Sequence, residues 1–192
     1  MAYVSQEMKS ELAPAIKTIL KKYGMKGSLS VRNHSTLVLT LKSGKIDFDA
    51  GTGVEDIKGT NKSATSVLDA STGQIQFQLL VKGFEFSSQL MQDHFNENYM
   101  ESDKFPKTSF KGKVTGFEGK SGTYDVEGEL TIHGVSNKVK TKMTLTVGTK
   151  TLISGSFNVK LKEYKLEVPT LAKKTLAETA KISVKLELEN KQ

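Results

Sequence analysis

From Gly44 onward, apolar and polar residues alternate through most of this chain, and a two-residue period predicts β structure. In the last run, Ile182, Val184, Leu186 and Leu188 point one way, while Lys181, Ser183, Lys185, Glu187 and Glu189 point the other. The same period puts Ile75, Phe77, Leu79 and Val81 on one face of an earlier run. It does likewise for Tyr124, Val126, Leu130 and Ile132, and for Val139, Met143, Leu145 and Val147. Turn-forming residues separate predicted strands at 44–50, 54–58, 63–69, 73–82, 107–115, 122–132, 138–147, 151–161 and 180–189. Antiparallel strands that each carry one dry face must close on themselves or pack as two sheets, because an open sheet leaves that face in water. The pattern therefore predicts a barrel or a sandwich.

Two segments break the alternation. After the short aromatic run Phe84-Glu-Phe86, Leu90, Met91, Phe95, Tyr99 and Met100 follow helical spacing. This predicts a helix between Ser87 and Met100, with Ser87 or Ser88 as N-cap, lying across a barrel opening or against its wall. Phe105-Pro106 ends this connection, since the residue before proline avoids the helical region. Near the start of the chain, Met8, Leu12, Ile16, Ile19, Leu20 and Tyr23 recur at three- and four-residue steps before Gly24. With Pro14 tolerated only in a first turn, Ser10 as N-cap and 11–23 as helix fit best. The runs 28–32 and 36–42 read as a hairpin or two edge strands. Residues 1–43 thus form a small α+β unit, and 44–192 a mainly β domain.

Composition sharpens this division. The chain of 192 residues carries 28 Lys/Arg against 21 Asp/Glu, a net charge of +7. Residues 1–45 hold eight of those cations and two of the acids, so nearly all the excess belongs to the N-terminal unit. Such a patch could attract phosphates or an anionic membrane surface, although a solvated lysine-rich helix face explains it more simply. No run approaches the length of a membrane span, and Met1-Ala-Tyr-Val-Ser-Gln-Glu7 lacks the features of a signal peptide, so the chain as written is expected to be cytoplasmic. Zero cysteines excludes disulfides, thiolate catalysis and cysteine-ligated metals.

One stretch is more specific than any periodicity. His94-Phe95, Tyr99-Met100, Glu101 and Phe105-Pro106 lead into a strand with Phe110, and Gly128-Glu-Leu-Thr-Ile-His-Gly-Val-Ser136 follows as strand, turn and strand. This combination resembles the YceI-like family of polyisoprenoid-binding β-barrels. Ser43-Gly-Lys-Ile-Asp-Phe48, Val67-Leu-Asp69 and Tyr164-Lys-Leu-Glu-Val-Pro169 are similar to further landmarks of its Bacteroidetes-type members. The resemblance implies a lipocalin-like antiparallel eight-stranded β-barrel with a helical connection, and a periplasmic or exported location. It also implies an elongated apolar cavity for a polyprenyl chain. It does not extend over residues 1–43, and the junction at Leu41 to Phe48 is compatible with a fusion, natural or engineered.

What the resemblance implies is non-catalytic binding, transport or sequestration of a polyisoprenoid or other long-chain lipid. The candidate lining of lumen and mouth is Phe77, Leu79, Phe84, Phe86, Met91, His94, Phe95, Tyr99, Phe110 and Phe157. The same side chains would look alike in a solid core, because an eight-stranded barrel is just wide enough to be filled or to hold one small ligand. The alternative is an interaction or scaffold protein whose basic N-terminal unit binds nucleic acid or an acidic partner; of these, nucleic acid is disfavoured as a partner.

Catalytic chemistry finds little support in the residues. Asp47/Asp49 and Glu127/Glu129 repeat at the spacing that puts paired carboxylates on one strand face, as glycoside hydrolysis uses. Their neighbours Ile46, Phe48, Val126 and Leu130 occupy the opposite, apolar face, so the acids are expected in solvent. His34, His94 and His133 show no metal-ligand spacing, and Gly51-Thr-Gly53 lacks the helix that follows a phosphate loop. The expectation is no enzyme, no cofactor and no metal.

Overall fold

The computed structural model describes residues 42–189, and the predicted helix 11–23, the runs 28–32 and 36–42 and His34 lie outside them, apart from Lys42. Nine strands are present: β1 (Lys42–Gly51), β2 (Lys58–Leu68), β3 (Gln74–Leu80), β4 (Phe84–Phe86), β5 (Lys107–Val114), β6 (Gly122–Ile132), β7 (Val135–Val147), β8 (Lys150–Lys160) and β9 (Leu176–Glu189). All neighbours pair antiparallel, and β9 returns to β1, which itself pairs with β2. The sheet is therefore closed.

Nine strands make eight staves because β3 and β4 share one edge of β2. Thr65–Leu68 pair with β3 and Gly59–Asn61 pair with β4. Between them the stave breaks in a single 3-10 turn, Val81–Gly83. Asn61, fully buried, holds that break: its Nδ2 donates to Leu80 O at 2.9 Å and its Oδ1 accepts from Ser63 N at 2.9 Å. A buried amide with both ends paired removes the penalty that an interrupted ladder would otherwise carry.

The same residues explain a difference from the sequence expectation, which placed two runs at 54–58 and 63–69. The structure has a loop at 52–57 and one continuous strand, β2. Gly59 and Asn61 look like turn residues, yet here each has a job inside a strand. A Cβ on Gly59 would lie 2.7 Å from Cζ of Phe86, so the bare backbone is what lets that ring pack down onto β2.

Elsewhere the alternation translates directly. Ile75, Phe77 and Leu79 are buried on β3, Val126, Leu130 and Ile132 on β6, and Val184, Leu186 and Leu188 on β9. The end of the barrel away from the helix is packed solid, with Leu68, Val114, Leu145 and Ile153 at 3 % exposure or less. Gly112 and Gly128 face each other across β5 and β6, and the Phe110 ring lies over both, 2.6 Å from where either Cβ would stand. On the outside, Asp125 pairs with Lys142 and Glu127 with Lys140 across β6 and β7. Of the suspected acid pair, Glu127 thus belongs to a solvent-facing ladder, and Glu129 is exposed beside it.

The connection between β4 and β5 is helical but not uniformly α. Helix α1 (Gln89–His94) starts at Ser88, whose Oγ accepts from Met91 N, and continues as a π turn over Phe95–Tyr99. Met100 N donates to Phe95 O at 2.9 Å, closing the wider turn. In an α-helix five residues make almost one and a half turns, which would put Phe95 and Met100 on different faces. The π turn brings both inward, at 9 % and 6 % exposure. Among the described residues no helix is long and apolar enough to cross a membrane.

Candidate functional site

The barrel is open at the end where α1 lies, and there the apolar side chains stop short of filling it. A cavity of about 370 Å³ is walled by Phe86 of β4, by Met91, Phe95, Tyr99 and Met100 of the helical connection, by Leu161, Leu166 and Ala172 of the segment before β9, and by Leu176 at the start of β9. Phe48 and Ile57 form its floor on the β1–β2 side. A second space of about 70 Å³ lies deeper, lined by Phe77, Leu79, Phe84, Leu130, Phe157 and Ile182 among others. Phe48, Phe95, Met100, Leu161 and Leu166 border both.

The partition between them is aromatic. The Phe95 ring centroid stands 4.8 Å from Phe86, 5.4 Å from Phe84 and 5.9 Å from Phe48, in tilted and edge contacts. Where the resemblance implies one elongated cavity, the described residues enclose two apolar spaces of unequal size, the larger at the mouth. The physical reason is side-chain volume: Phe48, Phe84 and Phe95 meet where a narrower residue would leave a continuous bore.

Nine of the ten residues singled out in the sequence border these spaces. Phe77, Leu79, Phe84 and Phe157 line the inner chamber, Phe86, Met91, His94 and Tyr99 the mouth, and Phe95 both. Phe110 borders neither; it stacks on Phe77 at 5.4 Å and covers the glycine pair. Sequence reasoning missed Leu161, Leu166, Ala172, Thr175 and Leu176. The first four sit in an irregular segment with two 3-10 turns, Leu161–Tyr164 and Thr170–Ala172, the first closed by Leu166 N donating to Leu161 O at 3.1 Å, and Leu176 opens β9. No period of two or 3.6 runs through that segment. Phe48 was legible as part of the apolar face of β1, but not as a mouth residue.

The helical connection is latched to the barrel by the acidic residue that follows it. Glu101, at φ +40°, places Oε2 3.2 Å from His133 Nε2 and pairs with Lys104. Hydrogen bonding from Lys104, and then from His133, holds the Glu101 carboxyl below the usual range. His133 and Gly134 form the β6–β7 turn with φ of +50° and +71°, the signature of a tight hairpin, and the Phe105 ring packs edge-on against the imidazole at 4.4 Å. His133 is therefore a structural residue at the far side of the connection, while His94 is exposed at the mouth. Among the described residues no group of three His, Asp or Glu side chains is placed to hold a metal ion.

A closed eight-stave antiparallel barrel with an apolar mouth and a helical connection has a lipocalin-like build. The YceI-like domain family matches residues 30–188, and the chain belongs to that family. Solved structures agree in fold. A polyisoprenoid-binding domain from Saccharophagus degradans, implicated in plant cell wall breakdown, superposes with a TM-score of 0.69 at 14 % identity, over 81 % of this chain and 100 % of its own. BcnA of Burkholderia cenocepacia gives 0.64 at 19 % identity, over 75 % and 95 %. The YCEI protein of Campylobacter jejuni gives 0.60 at 15 % identity, over 90 % and 97 %. At such identities the likeness is one of fold. Comparison with curated protein sequences gives no match.

Proposed function

We propose that this protein binds the prenyl or other long-chain tail of a lipid in the mouth cavity, and that it carries or sequesters that lipid without altering it. The observation that carries the reading is the lining itself: an apolar space of about 370 Å³ at an open barrel end, rimmed by a few polar side chains. Its size falls in the range of small-molecule sites, roughly 300–1,000 Å³. At about 30 Å³ per heavy atom it accepts about a dozen carbons. Burying them at roughly 0.8 kcal/mol each gives about 10 kcal/mol gross, which exceeds the micromolar level before ordering costs are subtracted.

The solved barrel from Saccharophagus degradans, described as polyisoprenoid-binding, supports the same choice of ligand. Binding without chemistry is favoured because the paired acids are engaged outside: Asp47 contacts Lys45 and Thr60, and Glu127 contacts Lys140. The test is an organic extract of the purified protein examined by mass spectrometry. A stoichiometric prenyl or long-chain lipid is expected. An empty extract, together with no saturable binding of added prenyl alcohols, contradicts the reading.

A further inference from the structure

The polar rim and the divided volume together constrain the ligand more than its apolarity does. The mouth is bordered by five polar residues: Glu55, Ser88, His94, Tyr99 and Thr175. Among the described residues that line it there is no lysine or arginine, and one is an acid. Of the cations near the rim, Lys58 pairs with Asp56 at 2.8 Å and Lys173 with Glu178 at 3.0 Å; Lys162 lies with Lys173, Glu167 and Glu178 in an adjoining groove, and Lys174 is exposed on the nearby loop, neither of them in the mouth lining. Asp93 and Glu97 add acid on the exposed side of the helical connection. A phosphate or diphosphate head would thus meet the Glu55 carboxylate with no guanidinium or ammonium among the described lining residues, the opposite of how proteins hold such groups. A hydroxyl or carbonyl head, by contrast, finds hydroxyl and imidazole partners.

Volume limits the tail. The mouth takes about a dozen heavy atoms at about 30 Å³ each, and the inner 70 Å³ takes about two more once a chain threads past Phe95. Carbons beyond that remain in water and add no affinity. Resting on the lipid-binding reading above, we propose that this site takes a prenyl tail of about fifteen carbons with an uncharged, hydrogen-bonding head, and discriminates against phosphorylated and longer prenyl chains.

The experiment titrates the full chain with geraniol, farnesol, geranylgeraniol and farnesyl diphosphate, by calorimetry or displacement of a fluorescent probe. Affinity is expected to rise from geraniol to farnesol and to level off at geranylgeraniol. A fully buried extra isoprene unit would instead add at least a hundredfold, at roughly 0.8 kcal/mol per carbon. Farnesyl diphosphate is expected to bind about tenfold or more weaker than farnesol, roughly one charge left beside a carboxylate in a partly solvated site. Glu55 lies in the exposed loop 52–57, so Glu55→Lys leaves the barrel intact and is expected to narrow or reverse that difference. Geranylgeraniol binding a hundredfold tighter than farnesol, or the diphosphate binding as tightly as the alcohol, overturns the inference while leaving lipid binding in place. A diphosphate penalty unchanged in Glu55→Lys overturns the role given to the rim. If no prenyl alcohol of any length binds, the inference and the function proposed above fall together.

Discussion

Replacing Phe95 by alanine removes the one side chain that touches Phe48, Phe84 and Phe86 at once and stands between the two chambers. Phe95 is 9 % exposed, so nearly the whole ring leaves a packed environment. Phe-to-Ala truncations in cores cost about 3–5 kcal/mol. Because Phe95 already borders open space on two sides, fewer contacts are lost than in a solid core, and about 3 kcal/mol is expected. In a domain of this size that lowers the midpoint of thermal unfolding by roughly 6–12 °C.

Binding should change in the opposite sense. Opening the partition joins the mouth to the inner chamber and adds room for several carbons, so geranylgeraniol should gain over farnesol in the variant although it does not in the wild type. Urea unfolding followed by circular dichroism gives the stability change, and the same prenyl alcohol titrations give the length preference. Phe95→Leu, with a cost of about 1 kcal/mol, serves where the alanine variant fails to fold. A loss under about 1 kcal/mol for Phe95→Ala, with the length preference unchanged, refutes the role of Phe95 as partition.

Two further outcomes follow from the framework of the barrel. Asp69 closes the β2–β3 turn, its Oδ1 accepting from Ser71 N at 2.9 Å, Ser71 Oγ at 2.6 Å and Thr72 N at 3.2 Å. Burial alone would raise its carboxyl, but these hydrogen bonds outweigh it and its pKa is lowered. A depressed folded-state pKa means the native form binds fewer protons, so this stabilisation is present above about pH 4, the ordinary carboxylate value, and is lost as pH falls through the folded value. Asp69→Ala should therefore cost about 1 kcal/mol near neutrality, and its stability gap to wild type should shrink in acid unfolding titrations; a constant gap contradicts the assignment. Gly134→Ala places a Cβ 2.6 Å from Phe105 in a residue at φ +71°, and should destabilise by roughly 1–3 kcal/mol in chemical denaturation; an unchanged midpoint would show that the turn relaxes freely.

How much of this was readable from residues alone depends on how regular the backbone is. Strands with one wet and one dry face announced themselves, because alternation is the direct image of a pleated wall: β3, β6 and β9 bury the side chains their sequences put on one side. The helical connection was equally visible, with Ser88 capping as expected. Its π turn was not, since the spacing of Phe95 and Met100 becomes meaningful only once the turn widens. β2 was split in the reading because Gly59 and Asn61 mimic turn residues, and only their packing against Phe86 and Leu80 reveals otherwise. At the mouth, the aromatic residues near the connection were legible by their company, whereas Leu166, Ala172 and Thr175 are placed by irregular backbone that no period encodes. Whether an inward phenylalanine lines a space or fills it depends on what stands opposite: Phe110 stacks on Phe77, and Phe95 borders both chambers.

The central claim is that the mouth cavity is the place where an apolar ligand sits, and the most direct test is to fill it. Ala172 borders the cavity from a surface 3-10 turn, so Ala172→Trp can push an indole of about ten heavy atoms into a space for about a dozen without disturbing the barrel. Farnesol titrated into wild type and variant, with unfolding midpoints compared in parallel, should bind the first and lose at least tenfold in affinity for the second at equal stability. Equal affinity in both proteins would contradict the account.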